Sequence, residues 1–575
     1  MEKRVLLAIV LCIIVLVLWE KFFIPKRQPA PPSASPPVEQ APTAPTKPDQ
    51  AKPPVEQAPT APTKPDQAKP PVPAIPPSEA PAPSAPSLPT PAAHTARDVT
   101  VETPLYRAVF TETGARLRSF VLKKYRETIE KDSPGKELVK TSKIEDLPLA
   151  FNFVDRPVAA LNLAPYVADS KTTVTVGEGQ NHTLTFSYEA PGWLRITRQY
   201  HFIADTYLID LTVSVENLGN QPWENAPTLS LISQPISAGT GSRYTFQGPA
   251  FLINNELKNV KFKKIKGEEK FPGPIDWVSY TGQYFIMALL PVELTPNHAQ
   301  LEALDTATQM VEVTLIGPKV ALQPGVQQKF SYKLYFGPKV VNTLKDADPK
   351  LAKAVNFGWF DVIAQPLLVC LKFFYRYLHN YGVAIILLTL LIKILFWPLT
   401  HKSYVSMRAM KKLQPKMQKI REKYKDDKEK LNQEIMQMYR THKVNPVGGC
   451  LPMVLQIPVF FALYRLLYSS IALRHAPFFW WINDLSAPDR FPIGVQIPYL
   501  GNGLPILTIL MGISMYVQQK MSPTGGDPKM EKMMMMMPVV FTFFFINFPS
   551  GLVLYWLVNN VLSVGQQYYI NKHAA

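Results

Sequence analysis

The chain has 575 residues, 47% of them hydrophobic, and a formal net charge of +17, room enough for a folded domain and several membrane spans. Its basic residues cluster beside apolar stretches and form no single aromatic-interleaved surface, which argues against nucleic acid and for membrane topology. The cysteines Cys12, Cys370 and Cys450 all lie in or beside apolar segments and imply no disulfide framework.

Met1 to Arg4 is basic, and Val5 to Trp19 is a continuous apolar run with no small-residue cleavage site after it. We therefore expect an uncleaved transmembrane anchor over 1–24 with a cytoplasmic N-terminus. Proline, alanine, threonine and serine dominate 25–97, where the unit PPVEQAPTAPTKPDQAK occurs in tandem from Pro36 and Pro53. The unit has almost no apolar positions to stack, so it reads as a disordered, extended tether.

From 98 to 350 the pattern is strand after strand: Tyr106–Thr111, Leu117–Tyr125, His182–Tyr188, Leu194–Ile203, Tyr207–Val215, Gln309–Leu315 and Lys329–Phe336. Ala204-Asp205-Thr206 supplies a turn between two of them. One large β-sandwich is expected, with Trp193, Trp223 and Trp277 packing its core. No GxSxG, HExxH or close His/Cys spacing occurs, so the sequence suggests no catalytic centre, metal or cofactor.

The segment 351–380 is aromatic and apolar, with Lys372 and Arg376 one turn apart. A crossing here would leave the basic loop after Leu399 outside, against the positive-inside bias, so an interfacial amphipathic helix is expected. Tyr381 to Leu399 is apolar almost throughout and at about 1.5 Å per residue reaches roughly 28 Å, close to a bilayer's hydrocarbon thickness. The stretch 401–445 is dense in Lys and Arg and is expected in the cytoplasm. Met410, Leu413, Met417, Ile420 and Tyr424 face Leu431, Ile435 and Met438 across a turn at Asp426-Asp427, which predicts a helical hairpin zipped along its seam. Its outer charges suit solvent, anionic lipid headgroups or a partner such as a ribosome. Further spans are expected at 448–470, 504–520, 533–547 and 551–570, the last two separated at Asn547-Phe-Pro-Ser-Gly, giving six with the anchor.

Lys393 breaks the apolar pattern of its span. An ammonium in hydrocarbon costs about 2.5–3.5 kcal/mol, and none of the spans from Tyr381 onward contains Asp or Glu to pair with it. Uncharged polar residues accompany it instead: Thr389, Gln456, Ser514, Gln518, Asn559, Asn560 and Ser563. Polar groups spread over several spans suggest a hydrated, positively charged groove open to the cytoplasm, where an incoming chain places its polar tail while its apolar segment slides into lipid. Hydrophobic partitioning and the membrane potential would drive such a step without covalent chemistry.

WPLTHKSYVSM (Trp397–Met407), NPVGGCLPMVLQIPVFFALYR (Asn445–Arg465) and FPSGLVLYWLVNN (Phe548–Asn560) closely resemble the YidC membrane protein insertases. The resemblance implies a multi-domain protein of a Gram-negative inner membrane. Its parts are an N-terminal transmembrane anchor, a periplasmic all-β supersandwich domain and a five-span α-helical core with a cytoplasmic helical hairpin. It implies insertion of nascent membrane proteins, alone or with the Sec translocon, and makes the hairpin a candidate contact for ribosome and signal recognition machinery. Lys393 falls where such members usually have the groove arginine, keeping the charge without the planar fork. Thr389 falls on a groove-lining position. Phe460, Met511, Tyr555 and Trp556 fall on the hydrophobic slide, Trp556 replacing the usual tyrosine.

Two rival classes are a secondary transporter and a membrane-tethered periplasmic carbohydrate-binding module. The first predicts inverted repeats and an intramembrane acid, neither visible in the sequence. The second leaves Lys393 and the hairpin without a role.

Overall fold

The computed structural model describes residues 96–155, 161–236, 246–293, 297–356, 358–442, 444, 451–497, 500–521 and 528–573. The anchor expected at 1–24 and nearly all of the tether at 25–97 lie outside these residues, as do Cys12 and Cys450.

Alternation of apolar and polar residues builds the β domain. In Leu194–Ile203 the side chains at Leu194, Ile196, Tyr200 and Phe202 are buried, while Arg195 and Gln199 are exposed. Each strand named from the sequence is present, with ends shifted by up to two residues. A nine-stranded sheet runs, edge to edge, through Glu256–Asn259, Gly248–Ile253, Ile275–Thr281, Phe285–Pro291, Gln327–Pro338, Leu208–Asn217, Leu194–Ile203, Asn181–Ala190 and Val167–Ala168. Two five-stranded sheets cover its apolar face. Phe110 of one meets Phe186, Tyr200 and Phe202, and Phe151 of the other meets Phe330. Trp277 is fully buried, with Nε1 donating to the Lys350 carbonyl at 3.0 Å, and Trp193 and Trp223 pack edge to face against the same core. Arg198 breaks the inward apolar pattern, and its guanidinium donates to the carbonyls of Gly114 and Leu149, stitching the small sheets' loops to the large one.

The remainder is helical. A short helix α1 (Val341–Ala347) and a 3₁₀ turn (Leu351–Ala354) lead into α2 (Asp361–Leu378). His379 takes a left-handed conformation and Asn380 caps α3 (Tyr381–Lys423), its side chain accepting from the Val383 amide. The span and the first arm of the hairpin were expected as separate segments, but α3 is one helix of 43 residues that carries Pro398 and Pro415 inside it. The Thr400 hydroxyl donates to the Phe396 and Trp397 carbonyls beside Pro398. The hairpin turns where expected, Asp427 capping α4 (Lys428–Thr441). Leu413, Met417 and Met438 are buried in its seam, with Ile420 and Tyr439 packed on them. Tyr424 instead sits between the ammoniums of Lys423 and Lys430.

Helices α5 (Leu451–Ser469), α6 (Ile506–Met521), α7 (Pro528–Phe545) and α8 (Ser550–His573) complete the core. α8 is its centre, packing on α3, α5 and α6, while α7 packs on α6 and α2 packs on α3 and α5. By length and apolarity, Gly358–Leu378 and α3 are each able to cross a membrane. The loop from α5 to α6 has regular structure of its own among its described residues. It forms a hairpin of Phe491–Ile497 with Gly501–Leu504, and its buried Asp489 caps α6 by accepting from the Leu507 and Thr508 amides.

Contacts among the described residues tie the β domain to this core and to the segment that leads into it. Arg474, just beyond α5, donates to the carbonyls of Arg126 and Glu127 and lies over the Phe285 ring. Gln283 donates to the Tyr468 carbonyl at the end of α5. The Lys353 ammonium, shortly before α2, donates to the Asn255 carbonyl at 3.1 Å.

Candidate functional site

The α8 sequence places Tyr555, Asn559, Ser563 and Gln566 on one face at helical spacing, with Trp556, Asn560 and Gln567 beside them. Against this stripe α3 sets Thr389 and Lys393, which lie one turn apart and are both buried, Lys393 at 8% exposure. The Lys393 ammonium donates to Ser563 Oγ at 2.6 Å, and the Ser563 hydroxyl donates onward to the Asn559 carbonyl at 2.7 Å. Among the described residues Lys393 pairs with no carboxylate.

The stripe continues in both directions. From α5, Gln456 donates to Asn559 Oδ1 at 2.7 Å. Asn560 donates to Ser514 Oγ of α6 at 3.1 Å, and Ser514 donates to the Met511 carbonyl. Nearer the hairpin, Gln566 donates to Thr400 Oγ1 of α3, and Gln567 donates to the Met521 carbonyl at the end of α6. Four helices thus supply polar side chains to one interior strip. Thr389 turns its hydroxyl back on its own helix, donating to the Ile385 carbonyl, and Gln518 lies half-buried one turn beyond Ser514.

Sequence reasoning named most of these residues but omitted Thr400, Gln566 and Gln567. The signal was present in α8, where Asn559, Asn560, Ser563, Gln566 and Gln567 recur at three- and four-residue spacing. Ser563 stood only among the accompanying polar residues, yet it is the group that receives the ammonium.

The four apolar candidates divide. Phe460 of α5 meets Trp556 of α8 edge to face at 4.7 Å, and Trp556 reaches Phe545 and Phe541 of α7 at 5.2 and 6.3 Å. Met511 and Tyr555 are buried inside the bundle, where they pack between helices. Large apolar side chains continue outward from the aromatic group: Ile457 and Phe461 on α5, and Val540 and Phe543 on α7, are exposed. The arrangement therefore holds a cation and neutral hydrogen-bonding groups on the inside, with an aromatic bridge and an apolar flank beside them.

Comparison with known proteins matches the chain in two parts. The family model for the 60Kd inner membrane protein matches residues 373–575, and that for the YidC periplasmic domain matches residues 98–370. A membrane protein insertase YidC from Syntrophobacter fumaroxidans is 46% identical over 576 residues, covering 100% of both chains. One from Syntrophus aciditrophicus is 42% identical over 584 residues, again covering 100% of both. A third, from Pelobacter propionicus, is 41% identical over 577 residues and is covered to 99%.

Proposed function

The chain belongs to the YidC family of membrane protein insertases, and from that premise we propose how its own residues serve insertion. It is an inner-membrane protein with a periplasmic β-sandwich domain and a helical core, and its work is not enzymatic. The five helical spans are α3, α5, α6, α7 and α8, joined to the N-terminal anchor over 1–24, with the N-terminus and the hairpin in the cytoplasm. α2 lies in the periplasmic interface.

The Lys393 ammonium and the α8 stripe form the floor of a groove that water enters from the cytoplasmic side. An arriving segment places its polar or acidic tail there, so that the tail never crosses the full apolar thickness alone. Its apolar part meets Phe460 and Trp556 and moves outward over α5 and α7 into lipid, with Met511 and Tyr555 holding the helices that carry this surface. The hairpin meets the ribosome, signal recognition machinery or anionic headgroups, and the Sec translocon delivers part of the clientele.

One observation carries the reading. Among the described residues the buried ammonium is held by a neutral partner and by no carboxylate, so its charge stays available to an incoming carboxylate. The test is insertion of single-span passengers with acidic or neutral tails into proteoliposomes. Lys393→Arg is expected to retain insertion, and Lys393→Ala to impair the acidic-tailed passengers most. Equal losses for both tails would rule out charge capture.

A further inference from the structure

The edge of the nine-stranded sheet carries a basic feature that lies outside the proposed groove. After the edge strand Glu256–Asn259 the chain reads Asn259-Val-Lys-Phe-Lys-Lys-Ile-Lys266, with no acid in the run. Val260 is buried, its amide donating to the Pro249 carbonyl, and Phe262 and Ile265 pack on the sandwich core. A 3₁₀ turn over Phe262–Lys264 fixes the segment between these apolar contacts. Lys261, Lys263, Lys264 and Lys266 are consequently all exposed on an ordered ridge.

The ridge keeps its charge. Nearby, Lys258 lies over the Phe271 ring and Lys270 pairs with Glu268, whereas the four ridge lysines have no carboxylate partner among the described residues. Four like charges held close together repel one another unless an anionic surface meets them.

The ridge also lies beside strands tied at one end to the segment that leads into α2 and at the other to the end of α5. The turn before the edge strand is held at Asn255 by Lys353, shortly before α2. At the other end Gly248 pairs with Thr281, next to Gln283, which donates to the Tyr468 carbonyl of α5.

We propose that Lys261, Lys263, Lys264 and Lys266 dock the β domain onto anionic phospholipid headgroups of the periplasmic leaflet. The ridge fits a headgroup layer better than a folded partner because it offers point charges on a shallow turn, with its apolar residues turned inward. It rests on the family assignment that places this domain in the periplasm, and does not depend on the groove.

The test is hydrogen exchange of the full chain in nanodiscs of phosphatidylcholine alone or with about a quarter phosphatidylglycerol. Amides of 260–266 are expected to exchange more slowly in the anionic discs only, and the protection to vanish near ~0.5 M salt as screening shortens. Replacing the four lysines by Gln is expected to abolish it, and replacing them by Arg to keep it. Each single Lys→Gln is expected to weaken the contact about fivefold. Exchange in Leu194–Ile203 reports folding, and the single variants and the salt reversal stand if the fourfold variant unfolds. Equal exchange in the two discs, protection that survives in the Gln variant, or equal protection by soluble polyglutamate in neutral discs would each overturn the proposal.

Discussion

Lys393 and Ser563 face one another across the contact between α3 and α8, ammonium to hydroxyl at 2.6 Å. Because Ser563 also donates to the Asn559 carbonyl, the cation is coupled to the backbone of the central helix. A neutral acceptor of this kind satisfies one donor of the ammonium without cancelling its charge.

Ser563→Ala removes that acceptor and leaves a buried ammonium short of a partner. The loss is expected to be about 1.5–3 kcal/mol of stability, the range for a hydrogen bond to a charged group. Thermal unfolding of the purified protein in detergent checks this, and Ser563→Thr is expected to recover most of the loss.

Gly512 of α6 packs directly against the Thr542 hydroxyl of α7, and a Cβ there would overlap it. Close approach of two helices through a small residue is the usual way membrane helices gain packing. Gly512→Val is expected to cost about 1–3 kcal/mol by overpacking. Adding Thr542→Ala is expected to restore part of the melting temperature, since it clears the overlapping atoms.

Asp489 accepts from two amides at the start of α6 and from Trp481 Nε1 at 2.6 Å. Asp489→Ala deletes the cap and orphans the indole, which is expected to cost about 2 kcal/mol or more. Hydrogen exchange at the first turn of α6 should rise before that of α8.

Burial raises the carboxyl of Glu312 above its ordinary range, with Glu302 opposite it on the neighbouring strand adding to the rise and Ser230 opposing it. Between the ordinary and raised values the folded chain holds a proton that the unfolded chain has lost, so stability falls as pH rises through that window. Glu312→Gln is therefore expected to raise the melting temperature at neutral pH, with the gain shrinking as the medium is acidified. Melting curves of the two proteins across pH decide it.

The β domain was legible from strands such as Leu194–Ile203 whose alternate residues face solvent, whereas Pro227–Ser233, Ile275–Thr281 and Phe285–Pro291 are buried on nearly every residue and lack that alternation. The alternation in Leu194–Ile203 names both the strand and its inward face, and only Arg198 breaks it for a reason that lies far away in the chain. The short strands Gly135–Glu137 and Thr173–Thr175 were missed because three residues carry too little periodicity. In the helical core, Lys393 was conspicuous as a charge in an apolar run, whereas Gln566 and Gln567 resembled an ordinary polar helix end. Burial separated Met511 and Tyr555 from Phe460 and Trp556, and residue type alone carries no such information. Likewise the caps at Asp489 depend on a loop folding back across a hairpin, which local pattern does not encode.

The unbroken helix from Tyr381 to Lys423 spans about 64 Å at 1.5 Å per residue, with Lys393 near one end and the hairpin tip at the other. A load applied to that tip has a stiff lever to act through, interrupted only at Pro398 and Pro415 where a hydrogen bond is missing. A partner bound at the hairpin would therefore act on the cation through Pro398, a little over one turn beyond Lys393.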